Sequence, residues 1–156
     1  MVTLMPTLKR IADKICIKCS PLFDVDEAFR LFGDCSVETV SLSGEAKEVN
    51  IYIDGSAPRL TAVAIGIGEF SASVEERNVA KWSAQPNDLA QYRYITLPDV
   101  ALQHARMVAV AFDGKCDVWS NNGIALSAEK PTNVLGRTFE VEAIYNIDNA
   151  FKRLMK

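Results

Sequence analysis

Two cysteines three positions apart, Cys16 and Cys19 in the stretch CIKC, have the spacing that most directly suggests chemistry. Thiols at this spacing bind zinc or form redox-active disulfides. A zinc site needs a second close pair, but Cys35 and Cys116 lie far apart in the chain. A redox pair needs its first thiol at a helix N-terminus, whereas the local pattern places CIKC at the far end of a helix. The sequence therefore predicts reduced thiols on a buried helix face and no metal site.

The remaining catalytic motifs are incomplete. His104 is the only histidine, which excludes metal sites built from two or three histidines, and no GxSxG stretch supplies a nucleophilic serine. Residues 66–71, GIGEFS, carry two glycines of a dinucleotide-binding loop but have Ser71 where the third glycine belongs. Glu140 and Glu142 alternate with apolar residues, as a half-solvated strand requires. The sequence therefore predicts that the protein is not an enzyme and needs no cofactor.

An aromatic side chain beside a polar turn, in CDVWSNNGIAL at residues 116–126, suggests a binding loop. Trp119 precedes Asn121 and Asn122, and an aromatic residue with amide side chains on a loop is typical of ligand sites. The same turn residues also suffice for a plain hairpin corner. Two interpretations stay open: a hairpin corner, or a recognition tip to which Trp82 contributes.

Basic side chains concentrate at both ends of a chain whose net charge is −3. Residues 1–20 carry a net charge of +3, with Asp13 set against four basic residues: Lys9, Arg10, Lys14 and Lys18. Residues 148–156 carry a net charge of +2, with Asp148 set against three: Lys152, Arg153 and Lys156. These side chains form either solvated helix faces or docking arms for an acidic partner or a second copy of the chain.

The stretch YRY at residues 92–94 is a second candidate interface, with Tyr92 and Tyr94 on one face of a strand around Arg93. The pattern fits either a stacking platform or a cross-strand aromatic pair. It does not predict nucleic-acid binding, because the aromatic residues are not interleaved with a basic stripe and the isoelectric point is about 5.2.

Composition and length indicate a globular protein. The 156 residues are 49% hydrophobic and 24% charged, an ordinary mixture that can bury a core. No apolar stretch approaches the roughly 18 residues of a membrane span. Charges recur throughout the first twenty residues, which argues against a secretory signal. We therefore expect a single domain over residues 1–156, made in the cytoplasm and kept there or packaged from there into a virion.

The periodicity of apolar residues predicts helices near the ends of the chain and strands between them. Helices are expected at 7–19, 24–33 and 146–156, the second with Asp24 and Gly33 as its caps. Strands are expected at 48–54, 59–70, 92–97, 105–112, 116–120, 123–127 and 137–145. The predicted fold is mainly β: an antiparallel β-sandwich or jelly roll at 36–145, between a helical arm at 1–33 and a short C-terminal helix at 146–156.

Fold and charge together lead to a functional hypothesis. Without a catalytic motif, the leading hypothesis is a non-enzymatic structural or adaptor protein that assembles with itself or with neighbouring subunits, as in a virus or phage particle. The alternative is a carbohydrate- or ligand-binding sandwich whose glycan site is the recognition tip, formed by Trp119, Asn121, Asn122 and Trp82. Neither hypothesis involves a membrane or a nucleic acid.

Overall fold

The computed structural model describes residues 2–84, 88–119 and 123–145. These residues contain five short helices after a 3₁₀ turn at Val2–Leu4: α1 Met5–Ile11, α2 Val25–Phe32, α3 Val74–Val79, α4 Val100–His104 and α5 Val108–Phe112. The same residues contain nine strands: β1 Ile15–Cys19, β2 Ser36–Leu42, β3 Glu45–Ile53, β4 Arg59–Ile65, β5 Gly68–Ser73, β6 Tyr94–Pro98, β7 Asp117–Val118, β8 Ala125–Ser127 and β9 Gly136–Glu140. The fold is mixed α/β.

The strands form two sheets. The first has the order β1-β3-β2-β4-β5 and the second the order β7-β8-β6-β9. Neighbouring strands are antiparallel except β2 and β4. These two run parallel because the chain travels back along β3, on the other side of β2, before it enters β4. The prediction of a mainly β protein is therefore correct in part.

Helix α4 packs on the middle of the first sheet, against β2, β3 and β4. Thr39 of β2 donates a hydrogen bond from Oγ1 to the carbonyl of Ala101 at 2.8 Å. Side chains from the helices and both sheets share one hydrophobic cluster, which includes Val37, Ile51, Leu60, Leu102, Phe112 and Ala125. Because a helix covers these central strands, the predicted antiparallel sandwich or jelly roll is not confirmed.

Part of the opposite face of the first sheet is polar. One row of residues crosses all five strands in register: Lys18, Asn50, Glu38, Thr61 and Ser71. Asn50 donates from Nδ2 to Oε1 of Glu38 and to Oε1 of Glu48, both at 3.0 Å. This row is therefore a polar strip, hydrogen-bonded at Asn50, on the side of the sheet away from the core.

The prediction of one helix over residues 7–19 is wrong. Helix α1 ends at Ile11, and residues 15–19 form β1, in which Ile15 and Ile17 pair with β3. Two β-branched residues that alternate with other side chains favour a strand, and pairing with β3 overrides the helical spacing. The predicted helical arm at 1–33 therefore contributes a strand to the first sheet.

The stretch predicted as a strand at 105–112 contains helix α5 instead. Its buried residues lie on several sides of the helix: Val108, Ala109, Ala111 and Phe112. A helix that is buried all round has no polar face, so periodicity does not distinguish it from a buried strand. The next two predicted strands, at 116–120 and 123–127, correspond to the antiparallel pair β7–β8. The predicted C-terminal helix at 146–156 lies outside the described residues.

Capping residues stand at both ends of α2. The carboxylate of Asp24 accepts a hydrogen bond from the backbone N–H of Asp26 at 2.9 Å, and Gly33 follows the helix with φ +69°. Both aspartates also accept hydrogen bonds from the guanidinium of Arg106, at 2.9 Å for Asp24 Oδ2 and 2.5 Å for Asp26 Oδ2. Arg106 therefore ties the start of α2 to the corner between α4 and α5.

Arg106 has a left-handed backbone, with φ +56°. It occupies the position after α4 at which many helices have a glycine. There its N–H donates to the carbonyl of Gln103, and the N–H of Met107 donates to the carbonyl of Leu102. We expect Arg106→Ala to lose about 1–2 kcal/mol of unfolding free energy, because both ion pairs disappear. Arg106→Gly should lose about 1 kcal/mol less, because glycine relieves the backbone strain. Urea unfolding measures both, and equal losses would contradict the strain argument.

All four cysteines are free thiols. Burial, with a smaller contribution from Asp34, raises the pKa of Cys35 to about 11. Burial also raises the pKa of Cys19 and of Cys116, whereas Cys16 is exposed on β1. The raised values keep the three thiols protonated at neutral pH. The described part of the chain holds no cluster of three or more side chains able to bind a metal ion, and none of its helices is long and apolar enough to cross a membrane.

Candidate functional site

A cleft of about 620 Å³ opens between the turns at one end of the first sheet and the second sheet. Its walls come from the β2–β3 turn, the β4–β5 turn, the junction of β6 with α4, residues 123–124 before β8, and the start of β9. This volume is typical of small-molecule sites, which combine apolar walls with a few polar groups. We therefore take it as the candidate functional site and call it the inter-sheet cleft.

Two tight turns build one wall of the inter-sheet cleft. Ser43 and Gly44, between β2 and β3, have φ of +55° and +80°, the signs of a type I′ hairpin turn. Gly66, with φ +82°, opens the β4–β5 turn and places Ile67 at its tip. The backbone of each turn requires positive φ, which glycine supplies at no steric cost.

Asp99 anchors the junction of β6 with α4. The residue is only 8% exposed, and its Oδ1 accepts hydrogen bonds from Ser41 Oγ at 2.5 Å and from the N–H of Ala101 at 2.8 Å. It therefore caps α4 and joins this helix to β2. Gln103 fixes the same junction, since its Nε2 donates to the carbonyl of Pro98 at 3.0 Å.

Arg137 stands at the rim of the inter-sheet cleft. It lies on β9, an outer strand of the second sheet, and pairs in register with Leu97 of β6. Its Nη2 lies 3.2 Å from the point that a Cβ on Gly44 would occupy, so the guanidinium rests over the backbone of the β2–β3 turn. Among the described residues Arg137 has no ion-pair partner, although it is a cation with five N–H donors.

The cleft also exposes large apolar side chains. Ile67, Leu97 and Ile124 are 55%, 45% and 43% exposed. Single exposed apolar residues are ordinary on a protein surface, but a group of them around one concave site marks a binding surface. The cleft can therefore desolvate an apolar part of a ligand while Arg137 contacts a polar part.

Neither tryptophan of the predicted recognition tip lines this cleft, although Gly123 and Ile124, which follow the tip in the sequence, do. Ser83 donates its backbone N–H to the carbonyl of Val118 at 2.6 Å, which places Trp82 and Trp119 on adjacent segments. Trp82 is exposed and Trp119 is half-buried. The structure thus brings the two tryptophan-bearing segments together, but the other two predicted tip residues, Asn121 and Asn122, lie outside the described residues.

The predicted basic docking residues are spread over α1, β1 and the segment between them. Four of them are described, and all four are exposed: Lys9, Arg10, Lys14 and Lys18. Lys18 already pairs with Glu48 at 2.5 Å. The other three, Lys152, Arg153 and Lys156, lie outside the described residues. The docking role stays a prediction.

The predicted tyrosine platform is divided between the interior and the surface. Tyr92 is buried, and its hydroxyl donates to Asp117 Oδ2 at 2.6 Å, a hydrogen bond that raises the pKa of Tyr92. Arg93 is exposed and lies 3.7 Å from a carboxylate oxygen of Glu140. Tyr94 is half-buried on β6. Tyr92 therefore offers no stacking surface in this arrangement.

No protein-family model matches the chain, and no curated protein sequence matches it. A solved structure does match: the crystal structure of a putative methyltransferase from Porphyromonas gingivalis W83, with a TM-score of 0.83 and 19% sequence identity. The match covers 98% of this chain and 41% of that chain. The chain thus spans about two fifths of the length of the protein it is similar to, and at this identity the likeness shows a shared fold.

This likeness corrects the functional hypothesis. The prediction of a non-enzymatic structural or adaptor protein is wrong, because the fold is that of part of a putative methyltransferase. The same finding overturns the alternative of a carbohydrate-binding sandwich and the prediction that the protein is not an enzyme. Nothing in the fold or the match supports a role in a virus, phage or virion.

Methyl transfer requires a methyl donor, and the described residues do not form the doubly wound type of site that binds nucleoside-containing groups. In doubly wound folds, nucleotide groups bind at the carboxyl edge of a parallel sheet, on a glycine-rich loop that leads into a helix. In the part of the chain that the structure describes, only β2 and β4 run parallel. Gly66 lies in the β4–β5 turn, and Gly68 begins the antiparallel strand β5. We assign no step of donor chemistry to these residues.

Proposed function

We propose that this chain is the acceptor-binding part of a methyltransferase, and that the inter-sheet cleft holds the group to be methylated. A separate unit, on the same polypeptide or on another, binds the methyl donor. The observation that carries this proposal is a cleft of about 620 Å³ in a fold that a putative methyltransferase shares. Residues of this chain form the cleft, whereas its described residues form no doubly wound site for the donor.

The chemistry of the cleft supports binding and orientation. Ile67, Leu97 and Ile124 exclude water from an apolar part of the acceptor, and Arg137 orients a polar part. Holding a reactant in a fixed position replaces an encounter in solution by a reaction within one complex, which lowers the entropic part of the barrier. This is the contribution that an acceptor-binding part makes to methyl transfer.

The test compares methylation in cells with and without the gene for this chain. Extracts of both receive a methyl-labelled donor, and label is counted separately in protein, nucleic acid and small molecules. We expect one fraction to lose label in the deletion extract and to regain it when the complete wild-type gene product is added. Identical labelling of the two extracts would overturn the proposal.

A matched pair of variants ties that result to the cleft. Ile67→Glu places a charge on the cleft wall, whereas Ile65→Glu places the same charge two residues away, at the end of β4, outside the cleft. The two isoleucines are similarly exposed, at 55% and 50%. We expect Ile65→Glu to restore labelling and Ile67→Glu to restore less than a tenth of it. Full restoration by Ile67→Glu would show that the cleft is not the acceptor site.

A further inference from the structure

Two charged side chains of the described residues line the inter-sheet cleft, and only one of them is free to contact a ligand. Asp99 and Arg137 are the charged side chains among the lining residues. Oδ1 of Asp99 already accepts two hydrogen bonds, and the residue is almost fully buried. Arg137 is exposed at the rim and has no ion-pair partner among the described residues. The charge that the cleft offers to a ligand is therefore positive.

The guanidinium of Arg137 lies against the backbone of the β2–β3 turn. Its Nη2 rests over Gly44, at a point where any Cβ would approach it to 3.2 Å. On β9 it is preceded by Gly136, which lets the strand approach β6 closely. A guanidinium has a planar fork of donors that matches a carboxylate or a phosphate with two hydrogen bonds. Arg137 is thus placed to bind such a group at the rim.

The apolar wall defines the other half of the ligand. Ile67, Leu97 and Ile124 surround the same cleft with roughly half of each side chain exposed. A groove that follows a nucleic-acid backbone presents many cations, because each phosphate contact needs one. One arginine beside three aliphatic side chains instead matches a ligand with a single anionic group and an apolar body.

We infer that the inter-sheet cleft binds an amphiphilic anion, with its carboxylate or phosphate on Arg137 and its apolar part against Ile67, Leu97 and Ile124. The binding of this anion does not depend on the proposed function. Its role as the methyl acceptor does rest on that function. Carboxylate and phosphate share the chemistry that Arg137 recognises, and the probes below distinguish them.

The test uses four probes that share an eight-carbon chain: octanoate, octyl phosphate, octanol and octylamine. Binding to the isotope-labelled protein is followed by shifts of backbone amide signals in NMR titrations. We expect octanoate, octyl phosphate or both to bind at least tenfold more tightly than octanol and octylamine. The anion that binds more tightly identifies the preferred group. Equal affinity for octanol and the anions would overturn the inference.

Three variants assign the effect to one side chain. Arg137→Gln should weaken anion binding at least tenfold, and Arg137→Lys, which keeps the charge but loses the fork, should weaken it about threefold. Arg93→Gln removes another exposed arginine, immediately before β6 and outside the cleft lining, and should change affinity less than twofold. Equal weakening by Arg137→Gln and Arg93→Gln would show a general charge effect and overturn the assignment.

The two proposals fail separately. If the wild-type protein does not bind the anions but methylation still depends on the cleft, only the inference of an amphiphilic anion is refuted. Anion binding to Arg137 with unchanged methylation in the deletion extract would refute only the methyltransferase role. The binding experiment uses the protein without donor, so its result does not depend on methyl transfer.

Discussion

Gly136→Ala is expected to lose about 3 kcal/mol or more of unfolding free energy, because overpacking against rigid atoms is costly. A Cβ at this position would lie 2.5 Å from the carbonyl oxygen of Leu97 and 3.2 Å from the Cα of Pro98. Both are backbone atoms that no rotamer change can move. The substitution must therefore push the start of β9 away from β6, its ladder partner.

The same displacement should reach the inter-sheet cleft, since Arg137 is the next residue along β9. We expect Gly136→Ala to accelerate hydrogen exchange of the β9 amides and to weaken binding of the amphiphilic anion. Gly66→Ala is the control for backbone strain: it has φ +82° but open space around its Cβ, so it should lose only about 1–2 kcal/mol. Equal stability losses in the two variants would contradict the steric explanation.

The sequence predicts best the features that depend on neighbouring residues. The caps of α2 are an example, because Asp24 and Gly33 act on the turns of helix beside them. The alternation in residues 48–54 likewise indicates β3, whose side chains at Val49, Ile51 and Ile53 are buried. Each signal requires only the side-chain period and the local turn chemistry.

Features that depend on contacts between distant residues cannot be predicted from the local sequence pattern. Helix α5 is apolar along its whole length, so its pattern is compatible with a buried strand. The parallel pairing of β2 with β4 follows from the return path of β3 and leaves no mark in the period of either strand. Strand β1 shows helical spacing and becomes a strand only because β3 offers it a partner.

The inter-sheet cleft is the clearest case of this limit. Its walls combine residues 43–44, 67, 97–103 and 136–137, which are adjacent only after both sheets have formed. One local signal exists: an isoleucine between two glycines, in GIG at 66–68, puts a large apolar side chain at a turn tip, where polar residues are usual. Arg137 gives no such signal, because an arginine on an edge strand is unremarkable until its surroundings are known.

Asp99→Ala is expected to lose about 2–4 kcal/mol of unfolding free energy. Part of the loss is the N-cap of α4, worth about 1 kcal/mol. The rest arises because Ser41, only 1% exposed, loses the acceptor for its hydroxyl and is left with a buried unpaired group, which costs about 1–3 kcal/mol. Because this junction forms part of the cleft, anion binding should weaken in the same variant.

Two comparisons separate the cap from the buried hydroxyl. Ser73→Ala removes the N-cap of α3, which joins no buried partner, and should lose about 1 kcal/mol. The double variant Ser41→Ala with Asp99→Ala removes both partners at once, and we expect it to be more stable than Asp99→Ala alone, because no unpaired hydroxyl remains. Denaturant unfolding of the wild type, Ser41→Ala, Asp99→Ala and the double variant measures the coupling between the two side chains. Additive losses in the double variant would mean that Ser41 and Asp99 stabilise the fold independently, which would contradict the argument from the buried hydroxyl.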